Sequence, residues 1–146
     1  LAPQVALDFP HLIDGLLLFA GTLDPALAQP RWFNYVAALP FASIIIGDRL
    51  SRANQEIFAL EENVKRMSER FQALEVSTIV VQGMKDDLVY PQNIDFAERT
   101  FNSETTSFFR LENEGHLFPM TRPDDIVLWS VSLLKKIKQQ ARLPKE

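Results

Sequence analysis

Apolar positions along the chain fall into short unbroken runs and longer periodic ones, and the two kinds alternate. Leu12 to Ala20 (LIDGLLLFA) is a short run flanked by Pro10, Gly21 and Pro25, which favours a strand buried on both faces over a helix. Ser77 to Gln82 (STIVVQ) is β-branched and apolar and stops at Gly83, so it predicts a second strand. Thr105 to Leu111 (TTSFFRL) predicts a third, shorter and more mixed in character. Between the last two, the spacing of Ile94, Phe96, Ala97 and Phe101 with Pro91 near the first turn predicts a helix over Pro91 to Phe101. A long final helix is predicted over Pro123 to Gln140. Asp124 and Asp125 stand in its first turn and Lys135, Lys136 and Lys138 near its last, complementing the helix macrodipole.

The middle of the chain differs. Ile57, Leu60, Val64, Met67, Phe71 and Leu74 recur at a 3-4-3-4-3 spacing, which puts all six on one stripe of a helix over Asn54 to Leu74. Docking on its own domain explains that stripe. A coiled-coil seam with a partner is the alternative, and fewer than three heptads give it little support. Upstream, Gln29 to Leu50 is rich in aromatics and Ile, and Pro30 and Pro40 divide it into one or two short helices. The order strand, helical insertion, strand, helix, strand, helix implies an α/β fold, a parallel sheet with flanking helices and right-handed crossovers.

Composition bounds what such a fold can do here. With 146 residues, 47% of them hydrophobic, the chain buries roughly two-thirds of the surface its unfolded form exposes. It has no cysteine, which removes disulfides, thiolate metal sites and a cysteine nucleophile, and fits a reducing, cytoplasmic setting. A net charge of -4 with interspersed signs argues against a nucleic-acid partner, and only Lys135 to Lys145 is basic. The longest apolar run, Trp32 to Ile46, is broken by Pro40, so no membrane span is expected. Two histidines do not make a metal site, no Gly-rich phosphate loop is present, and no cofactor is expected.

In open parallel sheets the functional groups gather in loops beyond the carboxyl ends of the strands. Two such loops carry chemistry: Gly83-Met84-Lys85-Asp86-Asp87-Leu88-Val89-Tyr90-Pro91, and Glu112-Asn113-Glu114-Gly115-His116-Leu117-Phe118-Pro119. Alone, Asp86 and Asp87 are ordinary turn formers and His116 an ordinary loop histidine. Together, an acid after one strand and a histidine after the next are placed to meet. A carboxylate bonded to one ring nitrogen fixes the tautomer and leaves the other free as a general base.

These segments resemble the α/β-hydrolase superfamily. VVQGMKDDLVYP is similar to that family's strand, Gly-x-x-Asp and Val-x-Pro segment, and ENEGHLFP to its Gly-His loop before the last helix. The resemblance implies that Asp86 is the acid and His116 the base of a catalytic triad. FPHLIDGLLLFAGTLDP resembles the strand after the nucleophile-bearing helix, and LAPQVALD the tail of that helix. The coverage implies a core over 1–28 and 75–146, with 29–74 standing where the family keeps a helical lid. Trp32, Tyr35 and Phe41 would then line a substrate pocket under the lid, although packing between lid and core explains them equally. The family's nucleophile sits in a Gly-x-Ser-x-Gly elbow. None of Ser43, Ser51, Ser68, Ser77, Ser103, Ser107, Ser130 and Ser132 lies in one, so the elbow is expected before Leu1 and the chain is expected to be the C-terminal half of such an enzyme.

The expected activity is carboxylic-ester or related acyl hydrolysis of a small-molecule substrate; an aspartate nucleophile would instead point to epoxides or haloalkanes. Asp24, after the first strand, lies where some family members place their acid. Asp87 reads as a turn residue and His11 as structural, at the wrong end of its strand. Asn54 and Glu56 resemble a polar pair of lid helices and equally read as a helix start, with Ser51 or Asn54 as the cap. The alternative function is a non-catalytic binding or assembly module. Three strands cut from a larger sheet leave an open edge and an uncovered face, which makes a homo-oligomer a candidate state.

Overall fold

A computed structural model describes residues 2–29 and 60–140. Among these, α1 spans Ala2–Asp8, β1 Gly15–Phe19, α2 residues 60–68, β2 Ser77–Gly83, α3 Gln92–Thr100, β3 Thr106–Leu111, α4 Phe118–Thr121 and α5 Pro123–Gln140. The strands form one parallel sheet in the order β1-β2-β3, registered Gly15 on Ser77 and Thr78 on Thr106. The expected α/β architecture is therefore present.

The sequence pattern explains the layers. Every residue of the central β2 is buried, as its continuous apolar character requires when both faces are covered. Alternation along the strands sends Leu17, Phe19, Ile79 and Val81 to one face, where Phe118, Trp129 and Leu133 cover them. Leu16, Leu18 and Val80 point to the other face, against Ile94, Ala97 and Phe101. Val64, Met67, Phe71 and Leu74 are buried in that same second cluster. Four of the six residues of the expected stripe thus pack on the sheet's own core, whereas Leu60 is exposed and Ile57 lies outside the described residues.

Two expected elements differ in extent. β1 begins at Gly15 rather than Leu12, because Pro10–Leu12 winds into a 3₁₀ turn that leaves Leu12 exposed; proline at the first position tolerates this, having no N–H to satisfy. The helix expected over Asn54 to Leu74 is not continuous where it is described. It ends at residue 68, and Phe71–Ala73 forms a separate 3₁₀ turn. Ser68 turns its hydroxyl onto the Lys65 carbonyl, and Arg70 N–H bonds to the Met67 carbonyl three residues back, so the chain tightens there. The tighter winding still delivers Phe71 and Leu74 to the core.

Candidate functional site

The carboxyl edge of the sheet gathers three loops, and hydrogen bonds from the body of the fold fix each one. After β1, the Leu23 and Asp24 N–H groups donate to Asn93 Oδ1 at 2.7 and 2.9 Å, while Asn93 Nδ2 donates to the Tyr90 carbonyl at 2.9 Å. One buried amide at the start of α3 thus ties the first loop to the second. The second and third loops are joined by the Lys85 N–H, which donates to the Glu114 carbonyl at 2.8 Å. Gly83 makes that approach possible. A Cβ there would stand 2.5 Å from the Glu114 carbonyl oxygen and 2.7 Å from that of Gly115. Only a residue without a side chain lets the end of β2 lie against the backbone that leads into His116.

Asp86 and His116 meet as their loop positions predict: His116 Nδ1 is 2.9 Å from Asp86 Oδ2. Asp86 is fully buried and satisfied on both oxygens. Oδ1 accepts from the Leu88 and Val89 N–H groups at 2.9 and 2.8 Å, and Oδ2 accepts from Gln82 Nε2 at 3.2 Å as well as from the imidazole. Burial alone pushes this carboxyl up and is the largest single influence. The Val89 N–H, the His116 ring and the Leu88 N–H together outweigh it and hold Asp86 below its ordinary pKa. An ionised carboxylate only accepts, so the proton between the pair belongs to His116 Nδ1, which in the neutral ring leaves the lone pair on Nε2. Among the described residues Nε2 makes no hydrogen bond, and the ring is partly open to solvent. The arrangement can take a proton from a group presented to Nε2 and hold the resulting imidazolium against a buried anion.

The other candidates lie elsewhere. Asp24 turns its carboxylate onto the Ala26 N–H at 2.8 Å, capping the 3₁₀ turn Pro25–Leu27. Asp87 is exposed beside Asp86. His11 is exposed in the turn before β1, at the opposite end of the sheet from His116. Trp32, Tyr35, Phe41, Ser51, Asn54 and Glu56 lie outside the described residues. Leu88 and Leu117, which sequence reasoning does not single out, are exposed apolar side chains in the same loops as Asp86 and His116.

Two further residues of the site escape sequence reasoning. Gln82 left a signal, as a polar side chain closing an otherwise apolar buried strand; buried polar groups of that kind have a partner, and here the partner includes Asp86. Asn93 left none, because its partners Leu23 and Asp24 are about seventy positions away. Among the described residues no group of three His, Cys, Asp or Glu side chains could hold a metal ion, and no helix is long and apolar enough to cross a membrane.

No family model matches the chain, and no curated protein matches it. Solved structures do. The chain is similar to a structure of the metagenome-derived lipolytic enzymes LipS and LipT, with a TM-score of 0.69 at 15% identity over 92% of this chain and 60% of that one. It is similar to the monoacylglycerol lipase of Paleococcus ferrophilus, with a TM-score of 0.63 at 13% identity over 90% of this chain and 64% of the other. A meta-cleavage product hydrolase from Pseudomonas fluorescens gives 0.55 at 14% identity over 92% and 60%. The chain spans about 60% of the length of these proteins. It has the fold of a C-terminal portion of an α/β-hydrolase.

Proposed function

We propose that Asp86 and His116 are the acid and base of a hydrolytic triad, and that the polypeptide carrying this chain cleaves carboxylic esters or related acyl compounds. The observation that carries the reading is the 2.9 Å contact between His116 Nδ1 and a buried Asp86 whose other acceptor sites are already filled. The nucleophile lies upstream of Leu1 in this reading. It attacks the substrate carbonyl, His116 Nε2 takes its proton, and the imidazolium then delivers that proton to the leaving alkoxide. Asp86 keeps the ring in the tautomer that leaves Nε2 basic and offsets the charge that forms on it. The exposed Leu88 and Leu117 beside the pair favour a substrate with an apolar acyl or alkyl part. In this reading residues 29–74 correspond to the family's lid, and Trp32, Tyr35 and Phe41 are its substrate-binding residues.

The test is hydrolysis of p-nitrophenyl esters of graded acyl length by the polypeptide that joins this chain to its upstream segment. A fluorophosphonate probe should label a serine before Leu1, and H116A should abolish both labelling and turnover. Equal turnover by H116A and the parent would remove His116 from the mechanism.

A further inference from the structure

α5 has two apolar faces, and the fold uses one. Trp129 and Leu133 are buried against the sheet, with Ile126 and Ile137 packed at their sides. On the other side Val127, Leu128, Val131 and Leu134 are between 43 and 65% exposed. At 3.6 residues per turn, positions 127, 131 and 134 fall on one stripe roughly opposite Trp129, and Leu128 widens it toward β3. A helix docked on a single sheet needs one apolar stripe and carries polar residues elsewhere. The second stripe has no counterpart among the described residues.

The charges on that stripe say what fits it. Asp124 stands seven residues before Val131 and Lys138 seven after, so all three share the stripe. Both ions are exposed, and neither has an ion pair among the described residues. We infer that this face is a self-association surface, on which α5 of two copies packs antiparallel about a two-fold axis passing at Val131. The symmetry then sets Val131 on Val131 of the second copy and Leu128 on its Leu134. Val127 meets the aliphatic stem of Lys135, and Asp124 meets Lys138 at both ends. A parallel arrangement would oppose Asp124 to Asp124 and Lys138 to Lys138, so charge selects the antiparallel one, in which the helix dipoles also oppose. An anionic lipid surface fits less well, because Asp124 and Asp125 at one end of the stripe would face its headgroups. A single helix pair is at the small end of specific interfaces, so the dimer exchanges with monomer and depends on concentration.

Sedimentation velocity over a dilution series reads the association. V131D should shift it toward monomer, and D124K or K138D alone should each weaken dimerisation by about tenfold, while the double variant D124K/K138D restores it. Circular dichroism verifies that the variants stay folded. Because the chain has no cysteine, V131C introduces a single thiol; it should oxidise to a disulfide-linked dimer much faster than E104C, placed on an exposed turn. The inference is overturned if the protein is monomeric throughout, if a dimer persists unchanged in V131D because another surface makes it, or if the double charge variant fails to recover. Monomeric protein that binds anionic vesicles through the α5 face would overturn it in favour of lipid.

Discussion

Two clusters that set a nitrogen-bearing side chain against carboxylates stand near the carboxyl end of β3, and those two side chains are about equally exposed. His116 is 34% exposed and Arg110 is 32%. The acids differ: Asp86 is 0% exposed, whereas Asp95 and Glu98, which hold Arg110 from α3, are 47 and 38% exposed. Arg110 donates to Glu98 and Asp95 at 2.8 Å, and these bonds, that to Glu98 foremost, raise the guanidinium pKa and leave it permanently charged. That cluster can tie β3 to α3 but cannot exchange a proton. In the other, backbone N–H groups keep a buried carboxylate ionised, and the ring on it has a free nitrogen. What separates a clasp from a candidate catalytic pair here is the surroundings of the acid.

The contrast is broken most severely at the pair itself. Under the proposed triad, D86N or H116A should lower the kcat/KM for ester hydrolysis by about 10³–10⁴-fold, since triad members act as a unit, while R110A leaves it unchanged. Comparable losses in both clusters would erase the distinction.

Next in size is G83A. Its methyl group would press on the Glu114 and Gly115 carbonyls at the base of the His116 loop, and these are backbone atoms that move only with the loop. Overpacking of this kind costs about 1–3 kcal/mol, measurable as a lower denaturant midpoint at unchanged slope. Under the proposed triad, activity should fall further than stability does, because the displaced loop carries His116.

A third test uses pH. The folded-state pKa of Asp86 lies below its unfolded value of about 3.9, so its stabilisation is fully present well above that value and fades as pH falls through the folded one. D86N cannot titrate. The stability gap between wild type and D86N should therefore be widest near neutrality and shrink below about pH 4, which equilibrium urea unfolding at several pH values would reveal. A gap independent of pH would mean that Asp86 gains nothing from being ionised.

The smallest effect belongs to the clasp. R110A should cost no more than about 1 kcal/mol, and added salt should reduce that difference, as expected of partly exposed ion pairs.

How far the sequence carries depends on whether a feature is written locally. α5 follows its expected bounds from Pro123 to Gln140, because periodicity and terminal charges both mark it. β2 is equally plain, as an apolar β-branched run stopped by glycine. β1 is blurred at its start, where leucine suits a strand or a helix and Pro10 opens a turn that the apolar run conceals. The meeting of Asp86 and His116 is legible because the topology of a parallel sheet forces adjacent loops together. Asn93 is illegible for the converse reason: its two acceptor bonds exist only once β1 has found its place beside β2. The exposed stripe of α5 stands in the sequence as four apolar residues, and only the buried face opposite, fixed by the tertiary structure, marks it as surplus.

The register of the sheet has a consequence for the order of assembly. Thr78 pairs with Thr106, 28 positions on, whereas Gly15 must find Ser77 across 62. Closing the longer loop costs about 0.6 kcal/mol more in chain entropy, for roughly a doubling of length. Diffusive search therefore favours β2, α3 and β3 docking first, with β1 added afterwards. Asp86 and His116 both lie on that compact unit, so their encounter comes early in folding and rests on nearby partners. The Asn93 bonds to the loop after β1 close late, as a latch on a site already formed.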